Sequence, residues 1–291
     1  MLLSLIDGFQ PELLASCANL GLYSVEQFLL LDGSNSEILS KLSLSIEALR
    51  NLQGELAPLL AQVADASDLC HKVSVTPVIS TGVSALDDLL GGGFATSEVT
   101  ELVGPPASGK TQILLSAMLC LLRGDPSATV AYISPTMLPL PRLRGLLRGP
   151  EEIQLLRRVL SFQAVDHSEV LESLQIVAAK AEPCRLVCVE SIGGVLASCL
   201  EGESGYVILS RIATALRRVA QACQASVLIT NHTIERDGEL RPALGVLHQG
   251  TPSVQIMLFH DPAPMEGENL KMALLTKSPR QPIFKRAIFP L

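Results

Sequence analysis

The chain has 291 residues, of which 48% are hydrophobic and 18% charged, with a formal net charge of −7. That balance excludes a disordered polymer, and no apolar run reaches the roughly 20 residues needed to cross a bilayer, so no membrane partner is expected. The seven cysteines are odd in number and never spaced C-x-x-C, which suits reduced, mostly buried thiols rather than a disulfide framework.

The start, "MLLSLIDGFQPELL", meets Asp7 and Glu12 early. It reads as a helix face rather than a signal peptide, so the protein is expected to stay inside the cell. From 2 to about 63 apolar residues recur at spacings of three and four, as in Leu13, Leu14 and Cys17 or Leu49, Leu52 and Leu56. Breaks at Gly21 and around Asp32–Ser34 cut this region into four or five short helices, a small helical domain over 1–63. Residues 1–65 hold two basic residues, Lys41 and Arg50, against eight acidic ones, a net −6. A module that grips nucleic acid would carry the opposite sign, so this front should face protein.

Residues 64–77, "ADASDLCHKVSVTP", lose the periodicity and end in proline, as an interdomain linker does. Beyond it, over 78–291, short apolar strands alternate with amphipathic helices. Strands are expected at 98–103, 128–134, 159–165, 185–191 and 226–232, and helices at 110–123, 141–147, 151–158, 168–180 and 206–224. Three last strands, near 253–259, 270–277 and 283–289, have no helix between them. The pattern predicts an α/β domain: a mostly parallel sheet with helices on both faces and an antiparallel edge. Cys184 and Cys188 fall four apart on one predicted strand, about 13 Å from each other, too far to share a zinc ion.

Gly104–Thr111, "GPPASGKT", fits G-x-x-x-x-G-K-T with a strand before it and a helix after it. Gly104 and Gly109 let the backbone turn so that the free N–H groups of the loop, which includes Pro106, Ala107 and Ser108, face phosphate oxygens. The candidate ATP site therefore runs from Gly104 and Pro105 to Gln112. Lys110 would reach the β- and γ-phosphates, and the Thr111 hydroxyl would hold Mg²⁺. Hydrolysis also needs an acid at a neighbouring strand end, and "RLVCVES" offers Glu190, which would act on the metal through water.

The stretch "STGVSALDDLLGGGFATSEVTELVGPPASGKTQ", 80–112, resembles the ATPase core of the RecA-like strand-exchange recombinases of eukaryotes and archaea. The resemblance continues through Glu190 and "LITNH" to the end of the chain, and the helical front is similar to that family's small N-terminal domain. "DGELRPALG" (237–245) and "TKSPRQPIF" (276–284) resemble the D-type paralogue, a member of a four-paralogue mediator complex. The resemblance implies a RecA-like P-loop ATPase fold, ATP and Mg²⁺ as ligands, a nuclear location, sister paralogues as partners, and single-stranded or branched DNA bound as part of the complex.

Departures from the family matter as much. Where the recombinases continue Y-I-D-T-E-G, with a glutamate that polarises the attacking water, this chain has Ser134, Pro135 and Thr136. Where they sense the γ-phosphate with glutamine, it has His232. Weak or partner-dependent hydrolysis is expected, with nucleotide acting mainly as a structural ligand. The first DNA loop of the family, here about 193–205, has two acids and no base; the second, 233–250, has only Arg236 and Arg241. The basic C-terminal run supplies further DNA-contact candidates in Lys277 and Arg280. At the place of the family's phosphate-binding hairpin, "KLSLSIEAL" (41–49) has no glycine. The leading expectation is an assembly factor that promotes recombinase filaments in homologous repair; the alternative is a self-assembling, DNA-dependent ATPase with strand-exchange activity.

Overall fold

The computed structural model describes residue 3 and residues 10–33, 35–60, 77–180, 184–196, 204–236, 238–245, 249–260 and 270–291. The chain divides into two compact units, Met1–Val75 and Thr76–Leu291. The expected linker, 64–77, lies outside the described residues except for Pro77. No described helix is long and apolar enough to cross a membrane.

The front unit has four described α-helices: α1 (Pro11–Asn19), α2 (Val25–Leu29), α3 (Ser36–Leu42) and α4 (Ile46–Leu60). Proline opens α1, where its missing N–H costs nothing. The Asn35 side chain caps α3 by accepting from the N–H groups of Glu37 and Ile38, and Ser43 ends that helix with left-handed backbone. Cys17, Val25, Phe28, Leu42 and Leu49 meet in one core. Gln53 donates to the carbonyls of Phe28, Leu29 and Leu31, adding partners at the carbonyl end of α2.

The larger unit opens with β1 (Val78–Ile79), α5 (Ser84–Leu90) and β2 (Phe94–Ala95). Helix α5 is not among the expected elements, although Leu86, Leu89 and Leu90 stand at helical spacing before the left-handed Gly91. The main elements follow: β3 (Val99–Val103), α6 (Lys110–Gly124), β4 (Thr129–Ser134) and α7 (Leu140–Leu146). The helical stretch expected at 151–158 is a 3-10 helix, Pro150–Arg158, and leads into β5 (Val159–Gln163). Next come α8 (His167–Ala178), β6 (Cys184–Val189), α9 (Ile192–Leu196), α10 (Ser204–Ala222) and β7 (Ser226–Asn231). A hairpin of β8 (Thr233–Arg236) and β9 (Glu239–Pro242) precedes β10 (Val254–His260), β11 (Leu270–Lys277) and β12 (Arg286–Pro290).

Eight strands form one sheet in the order β12-β11-β10-β3-β7-β6-β4-β5. The six from β10 to β5 run parallel, while β11 and β12 add antiparallel pairs. One core lies between the sheet and α5, α6 and α7; the other lies between the sheet and α8, α9 and α10. This is the mostly parallel α/β sheet expected from the alternation of elements, in the RecA-like form that the resemblance implies. Helix α6 is buried through Ile113, Leu114, Leu115, Met118, Leu119 and Leu122, which explains why its sequence is apolar on nearly every side.

Candidate nucleotide site

In a parallel sheet, ligands bind beyond the carboxyl ends of the strands, where the strand order reverses. Strand β3 lies between β10 and β7, and its chain leaves the sheet at Val103 and turns through Gly104–Gly109 into α6. A Cβ at 104 would come within 2.6 Å of the Leu258 carbonyl oxygen and 2.5 Å of Ser108 Oγ, so glycine is required. Ala107 and Gly109 both take left-handed backbone, with φ of 61° and 100°. Left-handed residues in such a loop turn successive N–H groups toward one concave side, a natural seat for an anion, and the amino end of α6 adds its dipole.

The Lys110 ammonium folds over the loop and donates to the carbonyls of Gly104 (2.6 Å) and Pro105 (2.7 Å). Burial pushes its pKa down, and the charge of Glu190 opposes that shift. Glu190 follows the last residue of β6. Its carboxylate accepts from the Thr111 hydroxyl and from the Tyr132 phenol. The Tyr132 phenol is held well above its ordinary pKa, first by burial and then by the negative charge of Glu190. Lys110, Thr111 and Glu190, chosen from sequence, are thus brought to one place, and Tyr132 is an unforeseen fourth member.

At the end of β4, Ser134 Oγ accepts from the Thr136 N–H at 3.3 Å and lies 3.3 Å from the Thr136 hydroxyl. Hydroxyls stand where the recombinases carry a carboxylate, and a neutral hydroxyl is a poor base near pH 7. At the end of β7, the Asn231 amide donates to Glu101 (2.9 Å), a fully buried carboxylate that also accepts from Gln255 (2.7 Å). His232 packs so close to Gly193 that a Cβ there would lie 2.8 Å from its Nδ1.

A cavity of about 360 Å³ opens over the loop, lined by Ala107–Gln112 together with Arg142 on α7, Lys271 on β11 and Leu291. Its described lining carries three cations, Lys110, Arg142 and Lys271, and no acid, which fits a polyphosphate better than a neutral ligand. Lys271 is only 5% exposed, and its ammonium lies 3.1 Å from His260 Nδ1. The other nitrogen of His260 lies 3.3 Å from the Pro106 carbonyl. Arg142, Lys271, His260 and Leu291 were not foreseen. Their only sequence signal is membership of elements that end beside the loop, and that becomes visible once strand order is known.

The DNA-contact candidates separate. Strand pairing puts Ile234 opposite Arg241 and Arg236 opposite Glu239. Positions 236 and 241 therefore share one face of the β8–β9 ribbon; the Arg236 side chain lies outside the described residues. Lys277 donates to the carbonyls of Gln249 (2.8 Å) and Pro252 (2.6 Å), and Arg280 pairs with Glu98 at 3.2 Å. Both therefore hold their own unit together. Of the first loop, residues 193–196 belong to α9 and 197–203 lie outside the described residues.

A glycine-turned loop of phosphate-loop form on the central strand of such a sheet defines a RecA-like, P-loop type of core. Comparison with known proteins agrees on that class. The Rad51 family pattern matches residues 71–138. The chain is 33% identical over 265 residues to the DNA repair protein RAD51 homolog 4 of Bos taurus, covering 84% of this chain and 81% of that protein. It is 29% identical over 229 residues to the DNA repair and recombination protein RadA of Metallosphaera sedula, covering 70% and 68%. The crystal structure of the RadB recombinase superposes with a TM-score of 0.62 at 26% identity, over 73% of this chain and 96% of that one. The chain belongs to the Rad51 family.

Proposed function

We propose that this protein is an ATP-binding recombinase paralogue of the D type that acts in homologous recombination repair. In this reading it works in the nucleus, joins sister paralogues, and the complex promotes recombinase filaments on single-stranded or branched DNA. Likeness to RAD51 homolog 4 over four-fifths of both chains supports the type. The helical front (1–63) would take one sister, the ATPase domain (78–291) another, with 64–77 as the linker between the docks.

One observation carries the proposal: a full phosphate cradle beside a strand end that has Ser134 and Thr136 in place of a base. ATP would be held by the loop N–H groups, Gln112 and Lys110; Mg²⁺ would be held by the Thr111 hydroxyl, with Glu190 reaching its water shell. The bound ion would supply charge neutralisation at the phosphates. This chain's own residues then retain nucleotide and turn it over slowly, as suits an assembly part.

Copurification of the full chain with candidate sister paralogues, scoring partner identity and bound nucleotide, tests this. ATP-dependent capture of two different sisters is expected. Filaments of the purified chain alone on single-stranded DNA, with strand exchange, would instead favour the self-assembling ATPase.

A further inference from the structure

Strands β10, β11 and β12 bury one face, and among the described residues of this unit no second layer covers the other. Ile256, Leu258, Ala273, Leu275 and Phe289 enter the core beneath α6. Pairing places Met257 beside Leu274, Phe259 beside Met272 and Met272 beside Ile288 on the opposite face. None of these five is among the described members of either packed core of the unit; Ile288 is 55% exposed, and Met257, Phe259, Met272 and Leu274 are half-buried. Over the parallel strands, that same face is covered by α8 and α10. Over β10–β12, no described helix of this unit does the same.

Charge on this surface is one-sided. Residues 270–291 carry five cations and no acid. Lys277 and Arg280 are engaged within the chain and Lys271 faces the phosphate loop. Arg286 is different: it stands opposite Leu274 on the apolar face, exposed, and among the described residues no acid pairs with it. An arginine set in an apolar patch calls for a carboxylate from outside, and such arginines are frequent anchors of protein interfaces. A nucleic acid is a poorer match, because its phosphates need several cations in a row and this face offers mostly aliphatic carbon.

We infer that the bare face of β10–β12 is the docking site for an acidic amphipathic helix of a partner protein. The helix supplies the layer that α8 and α10 provide over the rest of the sheet. Its apolar side covers Met257, Phe259, Met272, Leu274 and Ile288, and a glutamate or aspartate on its flank meets Arg286. This inference does not depend on the nucleotide reading.

The test uses the full chain and two labelled helical peptides of about 18 residues, with the same leucine stripe and either glutamates or lysines on the flanks, alongside a labelled single-stranded oligonucleotide. The glutamate peptide is expected to bind about tenfold more tightly than the lysine peptide. Ile288→Ser and Met272→Ser should weaken it by about tenfold, and Arg286→Glu should reverse the preference while thermal unfolding and ATP retention stay unchanged. Equal binding or no binding of the two peptides, or a preference that survives Arg286→Glu, overturns the inference. So does oligonucleotide binding that Ile288→Ser abolishes, or a dimer of the chain that Ile288→Ser dissociates.

Discussion

The ends of β3 and β4 lie on the same edge of one sheet and have opposite endowments. Beyond β3 stand two obligatory glycines, an ammonium folded over the loop and the Thr111–Glu190 contact. Beyond β4 stand a proline and two hydroxyls joined to each other. In the proposed reading the fold keeps the geometry that grips a phosphate and lacks the group that activates water, because the two would reside on different strands and depend on different side chains. Retention and turnover would then be separable properties, which experiments can push apart or back together.

The largest effect is expected at β4. General-base catalysis contributes about 10²–10⁴-fold, so turnover by the isolated chain should fall far below the enzyme median of about 10 per second. Thr136→Glu should raise steady-state ATPase activity while leaving ATP affinity unchanged. A rate near the median in the unaltered chain, abolished by Glu190→Gln, would place the base at Glu190 and end the contrast.

At β3 the next effect is on binding. Lys110→Ala removes a charge-assisted contact worth about 1.5–3 kcal/mol, so ATP affinity measured by calorimetry should drop by roughly 10- to 100-fold with the fold intact. Equal affinity would show that the loop N–H groups suffice without the ammonium.

Third in size is stability. Gly104→Ala drives a methyl group into the Leu258 carbonyl of a neighbouring strand, and the overpacking should cost about 1–3 kcal/mol. At Gly145, inside α7, a methyl group would meet nothing within 4 Å, so Gly145→Ala should be neutral or slightly stabilising. Urea midpoints for the pair compare a built loop with an open helix position.

The smallest effect concerns the tie between the two regions. Glu152, in the 3-10 helix downstream of β4, binds Arg123 near the end of α6 at 2.7 Å. That hydrogen bond, followed by one from the Arg148 N–H, holds the Glu152 carboxyl down to about 2. A carboxyl depressed in the folded state stabilises fully above its ordinary pKa of about 4.3 and loses that contribution as pH falls toward the folded value. The urea-midpoint difference between the unaltered chain and Glu152→Gln should therefore shrink from pH 5 to pH 2. A constant difference would mean that the pair contributes packing rather than charge.

Much of the molecule is legible in the residues because its signals are local. Helix α6 and strands β3, β4, β6 and β7 each show their own periodicity, and the phosphate loop is one continuous stretch with fixed glycine positions. Helix α5 is legible in principle, through Leu86, Leu89 and Leu90 before Gly91, but at seven residues its periodicity spans barely two turns. The β8–β9 hairpin has no clear alternation, and its pairing is set by the chain leaving β7 and returning to β10.

By itself, the sequence determined the alternation of strands and helices, the phosphate loop with Lys110 and Thr111, the acid at 190 and the missing acid after β4, since each depends on neighbours a few positions apart. Only the tertiary structure decided that Glu190 meets Thr111 across 79 positions, that His260 reaches Pro106 across 154, that Lys271 and Arg142 line the cavity, and that among the described residues of the larger unit no helix lies over one face of β10–β12. The physical reason is that periodicity is a property of the local backbone, whereas these meetings depend on strand order and on how the helices pack over the sheet, to which residues from the whole larger unit contribute together.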